Sequence, residues 1–309
     1  GCFMRIGIPR ALLYYNFYPA LEQLFAFEGA EVLVSSATNK SKLERGLAFC
    51  DDEVCLPVKV MMGHVQWLVE QDIDALFVPR VVSLEKKRYI CPKFLGLPDM
   101  VRSNWDSRIS LLSPTINLGW SKLRLWREGV KWAGPLRKGP LALWRQIKGA
   151  ALAQQKHQQQ LAVAREGPGE GKRVAVLGHS YNIYDEYVNF GLLSNLAQLG
   201  VQPLTVENFS KAQIEQGAKG LKKDLFWSYG RDLVGAAFYC MGNRAVDGVI
   251  MVASFGCGPD SLITEIIERR FAQCDIPLMS IILDEHSSGT GLATRVEAFV
   301  DMLNWRDIS

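Results

Sequence analysis

MRIGIPRALLYYNFYPALEQLFAFEGAEVLVS (residues 4–35) and KRVAVLGHSYNIYDEYVNFGLLSNLAQLGVQPLTV (residues 172–206) are two versions of one pattern. Each runs from a basic residue into a short apolar strand and an aromatic turn that carries Asn. An amphipathic helix closed by Gly29 or Gly200 follows, and then a second apolar strand. Recurrence in the same order and spacing marks a repeated supersecondary unit, and Gly at the helix end is the expected C-terminal cap.

Both halves continue the alternation. In the first, a helix near 57–71 leads to the strand DALFVP (74–79), and RISLLSP (108–114) supplies a fourth strand. In the second, a helix near 230–241 leads to DGVIMVAS (247–254). A helix over about 261–273, the strand PLMSIILDE (277–285) and the segment TRVEAFVDML (294–303) follow. Apolar strands alternating with helices predict parallel sheets covered on both faces. The expected fold is therefore α/β: two doubly wound, Rossmann- or flavodoxin-like domains at 4–115 and 171–309, with a helical basic insert and linker at 116–170. Such sheets bind ligands at the carboxyl ends of their strands.

Composition agrees with two domains, because 309 residues exceed what one hydrophobic core usually serves and 48% of them are hydrophobic. A net charge of +3 gives no reason to expect a nucleic-acid partner. No apolar run reaches the roughly 18 residues of a membrane span. The start GCFMRIGIPR lacks the basic segment, long apolar core and cleavage site of a secretory signal. Met4 reads as a natural initiator, so a cytoplasmic protein with no membrane partner is expected, and Cys2 carries little weight. The seven cysteines (2, 50, 55, 91, 240, 257 and 274) are an odd, scattered set. In a chain without an export signal that leaves buried thiols, catalysis or a metal rather than a disulfide framework.

The insert is where charge concentrates. Lys122, Arg124, Arg127, Lys131, Arg137, Lys138, Arg145 and Lys148 stand against the single acid Glu128, interleaved with Trp120, Trp126, Trp132 and Trp144. QQKHQQQ (154–160) reads as a polar linker with an exposed His157. Two readings stand: a helical connection whose tryptophans pack on the domains while its basic side chains face water, or a docking surface for an acidic partner or a ligand phosphate.

Three cysteines share a setting. Cys55 precedes Leu56-Pro57, and Pro57 suits the first turn of a helix whose Val58, Met61, Met62, Val65 and Leu68 form one apolar stripe. Cys91 stands directly before Pro92. Cys257 sits in ASFGCGPDS, between a strand and a helix begun by Pro259 and Asp260, where Gly256 and Gly258 let the backbone turn or approach a bulky group. A helix N-terminus lowers a thiol pKa and stabilises an anionic centre such as a thiolate-bound iron–sulfur cluster. The spacing matches neither compact ferredoxin runs nor paired zinc CxxC motifs, so structural thiols, thiol catalysis and a metal site all remain open. Cys240 and Cys274 read as core thiols, and Cys50 as a packing residue or reserve ligand.

The segments MRIGIPRALLYY, DEVCLPVKVMMGHV, YICPKFLGLPDM, GHSYNIYDEYVN, SFGCGPDS and LDEHSSGTGLATRVEAF span most of the chain outside the insert. On these the chain resembles the superfamily of 2-hydroxyacyl-CoA dehydratases, benzoyl-CoA reductase subunits and double-cubane cluster proteins. Its nearest likeness is to the acyl-CoA dehydratase activase-related branch. That resemblance implies two Rossmann-like domains and an oxygen-sensitive iron–sulfur cluster on Cys55, Cys91 and Cys257. It also implies low-potential electrons from a separate ATP-hydrolysing activase with its own cluster, in keeping with the lack of a GxxxxGKS/T motif here. Dehydratase members act on CoA thioesters as two-subunit enzymes, so a homologous subunit or a homodimer and an acyl-CoA or other small substrate are the implied partners. Three matched cysteines suit one 4Fe–4S cluster per chain better than a double cubane.

Around such a cluster, Lys59 is a candidate to offset charge, with a solvated first-turn lysine as the alternative, and His64 is expected to hydrogen-bond a sulfur or donate a proton. His179, at the end of the strand that opens the second half, is a candidate ligand-binding residue, with a backbone-bonded loop histidine as the alternative. LDEHSSGTG brings Asp284, Glu285 and His286 to a strand end, as a proton relay or as capping of a turn. Three functions compete: a cluster-bearing redox protein that reduces a small substrate or relays electrons, a 2-hydroxyacyl-CoA dehydratase subunit, and a scaffold or small-molecule binding module without turnover.

Overall fold

The computed structural model describes residues 4–26, 30–105, 109–133, 139–163 and 171–306. Gly29, Cys2, Arg137 and Lys138 lie outside these. The described chain divides into two compact units.

The first unit opens with β1 (Met4–Ile8), α1 (Tyr14–Phe25), β2 (Ala30–Val34), α2 (Lys40–Leu47) and α3 (Leu56–Val69). β3 (Ala75–Phe77), β4 (Arg80–Ser83), α4 (Pro92–Trp105), β5 (Ser110–Leu112) and β6 (Thr115–Asn117) follow. One parallel sheet has the order β2-β1-β3-β5. The expected helix and all four expected strands are there, because each strand is short and largely apolar, and Ile6, Ile8, Ala75, Phe77 and Leu112 meet Phe25 of α1 in one buried cluster, with Val32 and Val34 of β2 packed against it. A second, two-stranded parallel ladder of β4 and β6 was not expected from the sequence.

The insert carries α5 (Lys122–Ala133) and α6 (Pro140–Val163), so the linker reading of QQKHQQQ is corrected: these residues are helical. Gln and Lys are good helix formers. The segment is anchored, since Gln154 Nε2 donates to the Asn16 carbonyl at 2.7 Å. His157 is half-buried with its ring against Tyr18 at 5.1 Å, not solvent-exposed as expected. Nor do the tryptophans all pack inward. Trp144 is half exposed with Lys148 over its ring, and Arg124 lies 3.8 Å from the ring centroid of Trp120.

The second unit contains β7 (Arg173–Gly178), α7 (Ser180–Ile183), α8 (Leu192–Gln198), β8 (Gln202–Thr205), α9 (Lys211–Ala218) and α10 (Ser228–Asn243). β9 (Gly248–Ser254), α11 (Gly258–Phe271), β10 (Leu278–Leu283) and α12 (Gly289–Trp305) complete it. Its parallel sheet runs β10-β9-β7-β8. All seven residues of β9 are buried, the continuous apolar run of a strand covered on both faces. Each large aliphatic so buried contributes about 1.5–3 kcal/mol. Gly200, at φ +74, closes α8 in the left-handed conformation.

Both sheets place their first strand centrally, the second on one side and the third on the other, which puts a topological switch point beside β1 and β3 and another beside β7 and β9. The fold is doubly wound α/β in each unit. No helix among the described residues is long and apolar enough to cross a membrane.

Candidate functional site

At the switch point of the second sheet, β7 ends on Gly178. A Cβ there would stand 2.6 Å from the Val252 carbonyl of β9, so only glycine allows the two strands this close. The next residue, His179, is buried, and its Nε2 lies 2.8 Å from Oδ1 of Asp260 in the first turn of α11. Burial opposes the charge on His179, but the Asp260 carboxylate and then Glu207 outweigh it and raise the pKa. Burial likewise pushes Asp260 up, but His179 and hydrogen bonds from Cys257 and the Ser254 backbone together reverse it and leave the carboxyl below its usual range. The imidazole also stacks on Tyr181 at 5.1 Å and meets Tyr229 edge-on at 5.8 Å.

β9 leads through Gly256, held at φ +74, to Cys257, the residue before α11. Its thiol joins His179 and Asp260 in a group whose ligand atoms all lie within 4.8 Å of one another. Here an expectation fails: the Cys257 pKa is raised, not lowered. Burial is the largest cause, the neighbouring Asp260 carboxylate the second, and Cys55 adds to them. A Cβ at Gly258 would meet nothing within 4 Å, so the backbone before α11 is open on that side. Asn182 completes the floor: its Oδ1 accepts from Ser254 Oγ at 2.8 Å, and its Nδ2 is buried without a partner.

Cys55 is buried and counts with the second unit, although α3 behind it belongs almost wholly to the first. Cys91 lies in the first unit immediately before α4, and its carbonyl accepts from Phe94 N at 3.0 Å. All three cysteines thus stand one residue before a helix. Asp51, Asp52 and Glu53 are exposed. Cys240 is fully buried, but Cys274 is half-buried in a turn and lines a surface hollow with Asp275 and Arg306, so it is not a core thiol.

The histidine of α3 takes a different part from the one expected. His64 is fully buried, with Nδ1 2.7 Å from Ser35 Oγ and Nε2 2.9 Å from Thr38 Oγ1. Burial, then Lys42 and Arg10, lower its pKa to about 3. Both ring nitrogens are engaged by hydroxyls and burial disfavours the charged ring, so the hydrogen bonds His64 makes go to Ser35 and Thr38 rather than to a cysteine. Lys59 is buried, not solvated, with Nζ donating to the Asp52 carbonyl at 3.0 Å.

At the end of β10, Asp284 Oδ1 accepts from His286 N at 2.7 Å and from Ser287 Oγ at 3.1 Å, and Ser287 Oγ accepts from Asp284 N. This is the self-bonded turn of the capping alternative. Glu285 is half-buried and His286 exposed.

A family described as "CoA enzyme activase uncharacterised domain" matches residues 5–209, about two thirds of the chain. The chain belongs to that family. Residues 237–303 are also similar to a second one, the "2-hydroxyglutaryl-CoA dehydratase, D-component". This membership of the acyl-CoA dehydratase and activase-related superfamily agrees with the sequence resemblance and gives the chain a 2-hydroxyacyl-CoA dehydratase-related role. Among curated proteins none matches. Solved structures align over nearly the whole chain but loosely. ZnuA covers 97% of this chain and 98% of its own at 9% identity and a TM-score of 0.31. The laminin-binding adhesin Lmb of Streptococcus agalactiae covers 97% and 99% at 9% identity and a TM-score of 0.27. Neither carries an argument about this protein.

Asp260 was not singled out from the sequence as the partner of His179, nor Asn182 as the partner of Ser254. A signal existed: an acid in the first turn of a helix that starts at a strand's carboxyl end is aimed at that edge.

Proposed function

We propose that this member of the family is an iron–sulfur redox protein. In this reading Cys55, Cys91 and Cys257 hold one 4Fe–4S cluster, and a separate ATP-hydrolysing activase supplies its electrons. When bound, such a cluster accepts and gives up single electrons at low potential. The chain then reduces a small substrate or relays electrons in the cytoplasm, alone or with a second, homologous subunit.

The supporting observation is Cys257, a half-buried thiol before a helix, electrostatically coupled to Cys55 and touching an ionised carboxylate. Thiols crowded beside negative charge hold their protons until a cation replaces them, which is how a metal inverts local pKa values. The donor set fits a thiolate-bound metal better than it fits a nucleophile, because burial and the Asp260 carboxylate keep the proton on Cys257 despite His179 and the helix end nearby. The uncommitted Asn182 Nδ2 and the open backbone at Gly258 suit an anionic group with sulfur acceptors. His179 and Asp260 hold that wall of the site in place.

Similarity to the dehydratase D-component favours one further reading, a dehydratase subunit acting on a 2-hydroxyacyl-CoA. Anaerobic purification with iron and sulfide quantification and a visible spectrum tests the proposal. About four irons per chain are expected, and colourless, iron-free protein ends it. Activase-dependent reduction with and without acyl-CoA then separates a relay from a dehydratase, and a cluster that is never reduced leaves a scaffold.

A further inference from the structure

The first sheet has a polar carboxyl edge of its own that the cluster does not use. β1 ends at Ile8, whose carbonyl accepts from Ser35 N at 3.1 Å, and Arg10 N donates to Ser35 Oγ at 2.8 Å. The loop Ser35–Asn39 therefore lies across the ends of β1 and β2, at the switch-point side where doubly wound sheets take ligands. Lys42, on α2, reaches back to the same loop. Its Nζ donates to Ser36 Oγ at 2.8 Å and to the Ala37 carbonyl at 3.0 Å.

What the loop lacks is negative charge. Lys42 is 3% exposed, and its ammonium meets only neutral groups: the Ser36 hydroxyl and the Ala37 carbonyl each accept a proton, and the Trp67 ring lies beneath it with its centroid 5.4 Å away. Arg10 Nε is buried without a hydrogen-bond partner. Among the described residues neither Arg10, which is half-buried, nor Lys42, which is buried, has a carboxylate partner, and holding a cation out of water without a counter-charge is costly. His64, held by Ser35 and Thr38 of the same loop, adds no negative charge, and its charged form is disfavoured by burial and by both cations. The loop that carries Arg10 is also strained, with Leu12 at φ +51.

We propose that Arg10, Lys42 and the hydroxyl-bearing loop Ser35–Thr38 form an anion site that takes a phosphate group. Two cations balance a dianion, and a guanidinium fork with adjacent hydroxyls and ammonium protons matches the several oxygens of phosphate better than the two of a carboxylate. The ligand is either free inorganic phosphate or the phosphate end of a carrier such as coenzyme A. The site does not depend on a bound cluster.

Thermal unfolding of the full chain at constant ionic strength, titrated with inorganic phosphate, pyrophosphate or coenzyme A, tests it. Rising midpoints are expected. Half-effect concentrations should be about tenfold to a hundredfold higher in Arg10→Gln and Lys42→Met, the loss of one charge-assisted hydrogen bond. The exposed Lys222→Gln should match wild type. Coenzyme A acting at much lower concentration than phosphate assigns the carrier, and equal potency assigns the free ion. If Arg10→Gln does not fold, Arg10→Lys keeps the charge without the fork and should bind several-fold more weakly. No protection of wild type by any of the three, equal binding in all variants, or the same loss in Lys222→Gln would overturn the site.

Discussion

His179 and Asp260, eighty-one positions apart, meet as a buried ion pair 2.8 Å long that ties the end of β7 to the first turn of α11. Removing one partner of such a pair strands the other as an uncompensated buried charge, at a cost of about 3–5 kcal/mol. Asp260→Asn is therefore expected to lower the unfolding free energy by that order in urea titrations. Because both changes remove the same interaction, adding His179→Gln should cost at least about 1 kcal/mol less than the two single changes summed. Strict additivity would show that the two side chains are not coupled.

The cluster ligands can be sorted from the bystanders chemically. Cys55→Ser, Cys91→Ser and Cys257→Ser are expected to leave purified chains with little iron or sulfide, whereas Cys240→Ser and Cys274→Ser keep both. Cys240 is enclosed by apolar neighbours and Cys274 lies beyond the end of α11. Full iron content in Cys257→Ser, measured anaerobically, would remove the residue that carries the functional proposal.

Acid should weaken the first unit through His64. The imidazole titrates near 3 in the folded chain and near 6.5 in the unfolded one. Between these values the unfolded state binds a proton that the folded state refuses, so stability falls as pH drops through the window and is level with respect to this group above it. The limiting slope is about 1.4 kcal/mol per pH unit. Unfolding free energies at pH 6.5 and 5 should thus fall more steeply in wild type than in His64→Gln, by about 1 kcal/mol per unit. Parallel slopes would mean that burial does not depress the His64 pKa.

The sequence announces strands and helices here better than it announces side-chain partners. β7 and β9 are legible because a strand buried on both faces is an unbroken apolar run, and the first and second halves repeat the same order. β4 and β6 are not, being three or four residues each with weak patterning. Cys55, Cys91 and Cys257 stand where proline and glycine punctuation puts them, before helices. By contrast, the fate of His64 depends on Ser35 and Thr38, nearly thirty residues away, whose hydroxyls take both ring nitrogens. Nothing local distinguishes those hydroxyls from ordinary loop residues. The depressed effect of the helix terminus on Cys257 has the same origin, since Asp260 and burial outweigh it only once the chain is folded.

Two helical glycines make opposite predictions. In α3, a Cβ on Gly63 would lie 1.8 Å from the Lys42 carbonyl of α2, backbone against backbone, so the two helices must separate to admit it. That separation would open the contact that holds Lys42 and its loop, and α2 would shift against the buried stripe of α3. In α4, a Cβ on Gly96 meets nothing within 4 Å, and alanine there simply removes backbone freedom from the unfolded chain. Gly96→Ala should stabilise the protein by about 0.5–1 kcal/mol. Gly63→Ala should cost about 1–3 kcal/mol or more, the penalty of overpacking. Urea unfolding of both variants checks the pair. A neutral Gly63→Ala would mean that α2 can move off α3 freely, and the clamp on Ser35, Thr38 and His64 would then be far looser than their 2.7–2.9 Å contacts indicate.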